Sequence, residues 1–175
     1  KITLSNLSYF GLVEPEIGYL RLDDFTPGAS REVSDALHNL KERGAKKVIL
    51  DLRDNPGGLL HEAVNIVSLF VPRGQEIVST KGKVEEWNKS YRTLNSPLDI
   101  EIPIVVLVSE GSASASEIVA GALQDYDRAV LIGRKTFGKG LVQTTRQLAY
   151  NSQLKVTTAK YYIPSGRCIQ ALDYT

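Results

Sequence analysis

The chain has 175 residues, 42% of them hydrophobic and 23% charged, which fits one ordinary globular domain with a sizeable core. Its 21 basic and 20 acidic residues are well mixed and leave a formal charge of only +1, so no basic footprint for nucleic acid and no acidic tail stands out. A lone cysteine, Cys168, excludes an internal disulfide or a multi-cysteine metal site, and His38 and His61 match no metal-ligand pattern, so neither metal nor cofactor is expected.

The segment Lys1 to Val13 is weakly patterned and suits either the tail of a preceding domain or an edge strand. With Lys rather than Met at its start, the sequence is expected to be a piece of a longer protein. Ile17-Gly-Tyr-Leu-Arg-Leu22 alternates as a strand does, and Asp23 to Gly28 is a turn-rich loop. A helix is predicted from Ala29 or Ser30 to Arg43, with Val33, Ala36, Leu37 and Leu40 on one face and Gly44 as its terminator. The next strand, Lys46 to Arg53, is separated from Ile17–Leu22 by that helix, which implies a parallel crossover and an α/β architecture. Asp54-Asn-Pro-Gly-Gly58 then forms a tight turn into a helix carrying Leu59, Leu60, Ala63, Val64, Val67, Leu69 and Phe70, ended by Pro72. Glycines at such a turn let backbone approach a ligand and offer N–H groups to an anion, although a plain connection explains them as well.

Gln75 to Lys81 and Val84 to Arg92 read as two strands joined at Gly82, with Trp87 as half-buried packing or a surface contact. Ile104-Val-Val-Leu-Val108 is a buried strand that turns into the helix beginning near Ser114-Ala-Ser-Glu117, a capping-box pattern. Ala129 to Gly133 is a further short, buried strand. Leu141 to Arg146 and Gln153 to Ile163 form an antiparallel pair across Asn151-Ser152.

A serine at a strand-to-helix turn is also where a nucleophile is exposed to the N–H groups of a new helix. Lys139 sits between Gly138 and Gly140, a path that could aim its ammonium inward, and Gln143 follows four residues on. A Ser-Lys pair needs no histidine, but its lysine must be neutral, so Lys139 is expected in an apolar pocket built from Phe137, Leu141 and Val142. Four residues of straight strand span about 13 Å, so Gly140 would have to bend the chain for Lys139 and Gln143 to meet. The oxyanion donors would be the N–H of Ala115 and one from Gly57 or Gly58.

Four blocks together, Asp51-Leu-Arg-Asp-Asn-Pro-Gly-Gly58, Gly111-Ser-Ala-Ser-Ala-Ser-Glu117, Thr136-Phe-Gly-Lys-Gly-Leu-Val-Gln143 and Thr157 to Arg167, resemble the signature blocks of the carboxyl-terminal processing peptidases, or tail-specific proteases. The resemblance runs from about Ile17 to Gln170. It implies a mixed α/β peptidase core of the ClpP/crotonase class, with Ser114 as nucleophile, Lys139 as general base and Gln143 as its orienting partner. The intervals of 25 residues from Ser114 to Lys139 and four to Gln143 match that arrangement. It further implies polypeptide substrates with unstructured C-terminal tails, a PDZ domain before the Ile17 strand, a possible homo-oligomer, and a periplasmic, cell-envelope or thylakoid-lumen location. No PDZ domain lies within this sequence, so residues 1–16 are expected to be a linker or its trailing end, and residues 17–175 the peptidase core. The alternatives are a binding domain on the same scaffold and a core that stays inactive until a regulatory domain or partner docks.

Overall fold

The computed structural model describes residues 5–172. A five-stranded sheet in the order β1-β2-β3-β6-β7 comprises β1 (Leu7–Glu14), β2 (Ile17–Leu22), β3 (Lys47–Asp51), β6 (Ile104–Val108) and β7 (Ala129–Gly133). The β1-β2 pair is an antiparallel hairpin, and the other neighbours are parallel. Parallel neighbours need crossovers, which α1 (Ala29–Glu42), α2 (Leu60–Ser68) and α3 (Ala115–Asp125) supply. The stretch left open between a domain tail and an edge strand is therefore, over Leu7–Glu14, the edge strand β1.

One face of the sheet is dry. Leu20, Leu22, Val48, Leu50, Ile104, Val106 and Val108 alternate inward and share a core with Val33, Leu37 and Leu40 of α1, Ile66 and Val67 of α2, and Ile118, Val119 and Leu123 of α3. The opposite face has no helix layer among the described residues. The strand expected to be buried at Ala129–Gly133 is instead the edge strand β7, and its Val130 and Ile132 are 63% and 53% exposed. An apolar run shows that a strand belongs to a sheet but not which faces are covered.

A second, antiparallel sheet in the order β5-β4-β9-β8 packs through β4 (Glu76–Lys81) on α2 and α3. Its other strands are β5 (Lys89–Arg92), β8 (Leu141–Gln147) and β9 (Gln153–Tyr162). The strand expected over Val84 to Arg92 shortens to β5, because Glu85–Trp87 forms a single 3-10 turn. Trp87 lies half outside, under the Arg146 guanidinium at 5.4 Å from its ring centre.

Candidate active site

The parallel strands β3 and β6 end side by side, and the loops leaving their carboxyl ends interlock, the usual place for a ligand site in an α/β sheet. Asn55 is the peg. Fully buried, it donates from Nδ2 to the Leu22 carbonyl at 2.8 Å and accepts the Gly57 N–H on Oδ1 at 2.9 Å. Its own carbonyl accepts the Ala113 N–H at 3.0 Å and the Ser116 hydroxyl at 3.0 Å, which fastens the glycine turn to the serine turn.

The three serines of that turn are used differently. Ser112, fully buried, donates to the Leu52 carbonyl at 2.7 Å and accepts the Ser109 N–H at 2.9 Å, and Ser116 is buried against Asn55. Ser114 caps α3 with φ 54° and ψ −110°, a conformation that costs a non-glycine residue about 1–3 kcal/mol. It forms the capping box with Glu117, whose Oε2 accepts the Ser114 N–H at 2.9 Å. The Ser114 side-chain oxygen faces the Glu117 N–H in that box, although this N–H bonds the Ser114 carbonyl at 3.0 Å, and the Ser114 O–H itself donates to no group among the described residues. That side chain is partly open to solvent while its neighbours are sealed.

The N–H of Ala115, the residue after this serine, and that of Gly58, which follows the glycine packed against it, have no hydrogen-bond partner among the described residues. The N–H of Gly57 is different, being already donated to Asn55, so of the two candidate glycines only Gly58 has a donor to offer. Gly57 serves the site by its shape. At φ 97° it packs so close that a Cβ would stand 2.6 Å from the Ala113 carbonyl oxygen and 2.9 Å from the Ala115 nitrogen.

Glu117 reaches from the helix start to the lysine loop. Buried on α3, it accepts the N–H of Gly138 on Oε1 at 2.6 Å and that of Lys139 on Oε2 at 2.8 Å, while Phe137 donates to the Ser112 carbonyl at 3.0 Å. One carboxylate oxygen thus holds the main-chain nitrogens of both Ser114 and Lys139, which can lie no farther apart than those two bonds laid end to end. The sequence shows Glu117 only as half of a cap, and nothing local to Gly138 or Lys139 reveals the second attachment.

Other expectations change. Lys139 is exposed, and the apolar pocket expected around it is not formed, since Phe137 is 64% exposed and Leu141 is also open. No hydrogen bond joins Lys139 to Ser114, or Gln143 to Lys139, among the described residues. Gly140 leads into β8, its carbonyl accepting the Tyr161 N–H at 2.8 Å, and the ladder irregularity opposite Val142 and Gln143 falls in β9, where Thr158 is extra. Upstream, Asp51 is fully buried at the end of β3 and accepts the Tyr19 hydroxyl at 2.5 Å and three N–H groups of Arg53 at 2.6–3.0 Å. Burial works against its charge, but Arg53 and Tyr19 hold its carboxyl below the usual range.

Known proteins place this arrangement. A carboxy-terminal-processing protease of Bartonella bacilliformis is 46% identical over 167 residues, covering 93% of this chain and 38% of the relative. A carboxyl-terminal-processing protease of Synechocystis is 46% identical over 158 residues, covering 89% and 36%. This chain therefore spans little more than a third of the length of those relatives. Among solved structures, a photosystem II D1 C-terminal processing protease superposes with a TM-score of 0.84 at 34% identity, over 96% of this chain and 46% of that one. The mixed α/β arrangement is the ClpP-like fold of these peptidases. The description of Peptidase family S41 matches residues 16–174, nearly the whole sequence, and the chain belongs to that family.

Proposed function

We propose that this chain is the core of a serine endopeptidase that processes polypeptides near their C-termini, with Ser114 as nucleophile, Lys139 as general base and Gln143 as the group that orients the amine. The observation that carries this reading is the state of Ser114. It stands on a strained strand-to-helix elbow, its O–H proton donated to no group among the described residues, next to the Ala115 N–H and packed against the glycine turn whose Gly58 N–H likewise lacks an acceptor. In this cycle, neutral Lys139 takes the Ser114 proton as Oγ attacks the scissile carbonyl, and the tetrahedral oxyanion is met by the Ala115 and Gly58 N–H groups. The lysinium returns the proton to the leaving amine, and water repeats the sequence on the acyl-enzyme.

The cycle needs a neutral amine, which desolvation favours, and Lys139 is exposed, so the side chain must first be covered. An extended polypeptide laid over the elbow would exclude water from it, and so would further parts of the longer protein. A PDZ domain that holds unstructured C-terminal tails is the regulatory part this reading calls for. The exposure of Lys139 thus favours one variant of the proposal, a core at rest until it is covered. The same family likeness leads us to propose a periplasmic or cell-envelope location, which fractionation of the source cells would refute by finding the protein in the cytosol.

The test is a serine-reactive probe with an unstructured peptide substrate. Wild type is labelled at Ser114, whereas Ser114→Ala and Lys139→Ala lose turnover, on the order of 10⁶-fold for the nucleophile, without losing the fold. Cleavage that survives in Ser114→Ala but disappears in Ser112→Ala or Ser116→Ala would assign the wrong serine. A folded protein with no lysine-dependent labelling at any added substrate would favour a binding module on the same scaffold.

A further inference from the structure

Three successive main-chain N–H groups around Lys139 end on side chains. Gly138 and Lys139 donate to Glu117, and Gly140 donates to Oε1 of Gln170 at 3.0 Å. Gln170 belongs to a strap that leaves the Pro164-Ser165-Gly166 turn and returns along the lysine loop. Along it the Ile169 N–H donates to the Tyr161 carbonyl at 3.1 Å and the Ala171 N–H to the Gly138 carbonyl at 3.0 Å. Nε2 of Gln170 donates to the Ala171 carbonyl at 3.1 Å, which closes a ring of bonds from Gly138 through Ala171 and Gln170 to Gly140.

This contact accounts for the glycines that bracket the lysine. A Cβ on Gly138 would stand 2.9 Å from the Ala171 nitrogen, and one on Gly140 would stand 2.8 Å from the Gln170 Cα. Neither backbone can retreat without breaking the ring. The sequence suggests that the glycines aim the ammonium, whereas the structure shows that they admit the strap.

We propose that Gln170 is a positioning residue for the base. Glu117 fixes the loop ahead of Lys139 and Gln170 fixes it behind, so the two together set the Cα of Lys139 and the cone its side chain can sweep beside Ser114. This rests on the reading of Lys139 as general base. The lever is long: a four-carbon stem amplifies a small backbone rotation, and a misplacement of about 1 Å at a reacting group costs on the order of 100-fold in rate. Gln170 touches no reacting atom in this scheme and acts only through the Gly140 amide.

The experiment compares Gln170→Ala, Gln170→Glu and Lys139→Ala in the full chain, following peptide turnover against pH and exchange of the Gly140 amide by NMR. In Gln170→Ala, kcat falls about 10- to 100-fold with KM within about 2-fold, the acid limb of the kcat profile moves, and Gly140 exchanges at least ~10-fold faster. Gln170→Glu keeps an oxygen facing Gly140 but sets its other oxygen against the Ala171 carbonyl, so it restores the amide protection and kcat in part, above the level of Gln170→Ala. Wild-type kcat and pH profile in Gln170→Ala overturn the proposal, as does a fall in Tm with kcat per folded molecule unchanged. If those results accompany a dead Lys139→Ala, the base assignment stands and only the positioning role is lost. Turnover that survives Lys139→Ala overturns both.

Discussion

Ser112 and Ser116 differ from Ser114 in what their hydroxyls already do, and this gives each a distinct mutational signature. Removing the Ser112 hydroxyl leaves the Ser109 N–H without its acceptor and the Leu52 carbonyl with only the Asn55 N–H at 3.3 Å, a cost of about 1–3 kcal/mol for a buried unsatisfied group. Ser112→Ala is therefore expected to lower the urea midpoint while keeping turnover per folded molecule. Ser114→Ala removes a hydroxyl that donates to no group among the described residues, while the Glu117 N–H keeps its bond to the Ser114 carbonyl, so it should leave the midpoint within about 1 kcal/mol of wild type while abolishing turnover. A destabilised Ser114→Ala would mean that the hydroxyl is a structural cap after all. Gly57 permits no side chain. Its positive φ and the proximity of the Ala113 carbonyl and Ala115 nitrogen make Gly57→Ala collide with the elbow backbone, and the expected loss is at least about 3 kcal/mol by thermal melt.

At the level of elements, local pattern was a good guide and long-range attachment was invisible. Helix α1 was legible because its apolar residues recur at three and four and because Gly44, at φ 96°, terminates it. Its start at Ala29 was legible as well, but what holds that start was not, since the N–H groups of Gly28 and Ser30 find their acceptor 34 and 32 residues away in Glu62 of α2, at 2.8 Å each. The same holds in the site. The Ser114-x-x-Glu117 cap can be read from four residues, but the second task of Glu117, holding Gly138 and Lys139, spans 21 and 22 residues and depends on how α3 packs. The expectation that failed most clearly, an apolar pocket for Lys139, took apolar neighbours in sequence as neighbours in space. Phe137 and Leu141 point instead to solvent. Because both Glu117 oxygens accept N–H groups, Glu117→Gln must set an amide NH2 against one of them. That variant is expected to loosen either Gly138 or the shared Ser114 and Lys139 contact, cutting kcat at least ~10-fold while the far sheet keeps its amide protection. Unchanged kcat in Glu117→Gln would separate the serine elbow from the lysine loop.

Across the whole molecule, the elements are joined by buried and half-buried carboxylates that depend on their charge. Glu32 of α1 accepts N–H and hydroxyl groups from Ser5, Asn6 and Leu7 at the β1 end, and Glu62 joins α2 to α1. Asp51 fastens β3 to Tyr19 of β2, and Asp99 joins the loop before β6 to Lys41 of α1. In each, burial alone would raise the pKa, but the donors prevail and hold it below its ordinary value, for Asp99 at about 2. A carboxyl more acidic in the folded state than in the unfolded chain contributes its full stabilisation above the unfolded value near pH 4. That contribution erodes as pH falls through the folded value. The urea midpoint is accordingly expected to be flat from neutrality down to about pH 5, then to fall steeply between about pH 4 and 2. Asp99→Asn, which cannot titrate, should start lower at pH 7 and lose less over that interval, so the two curves converge near pH 2. Parallel curves would mean that the Lys41 and Asp99 contact carries no pH-dependent stability, and that the seam between α1 and the loop before β6 is held by packing alone.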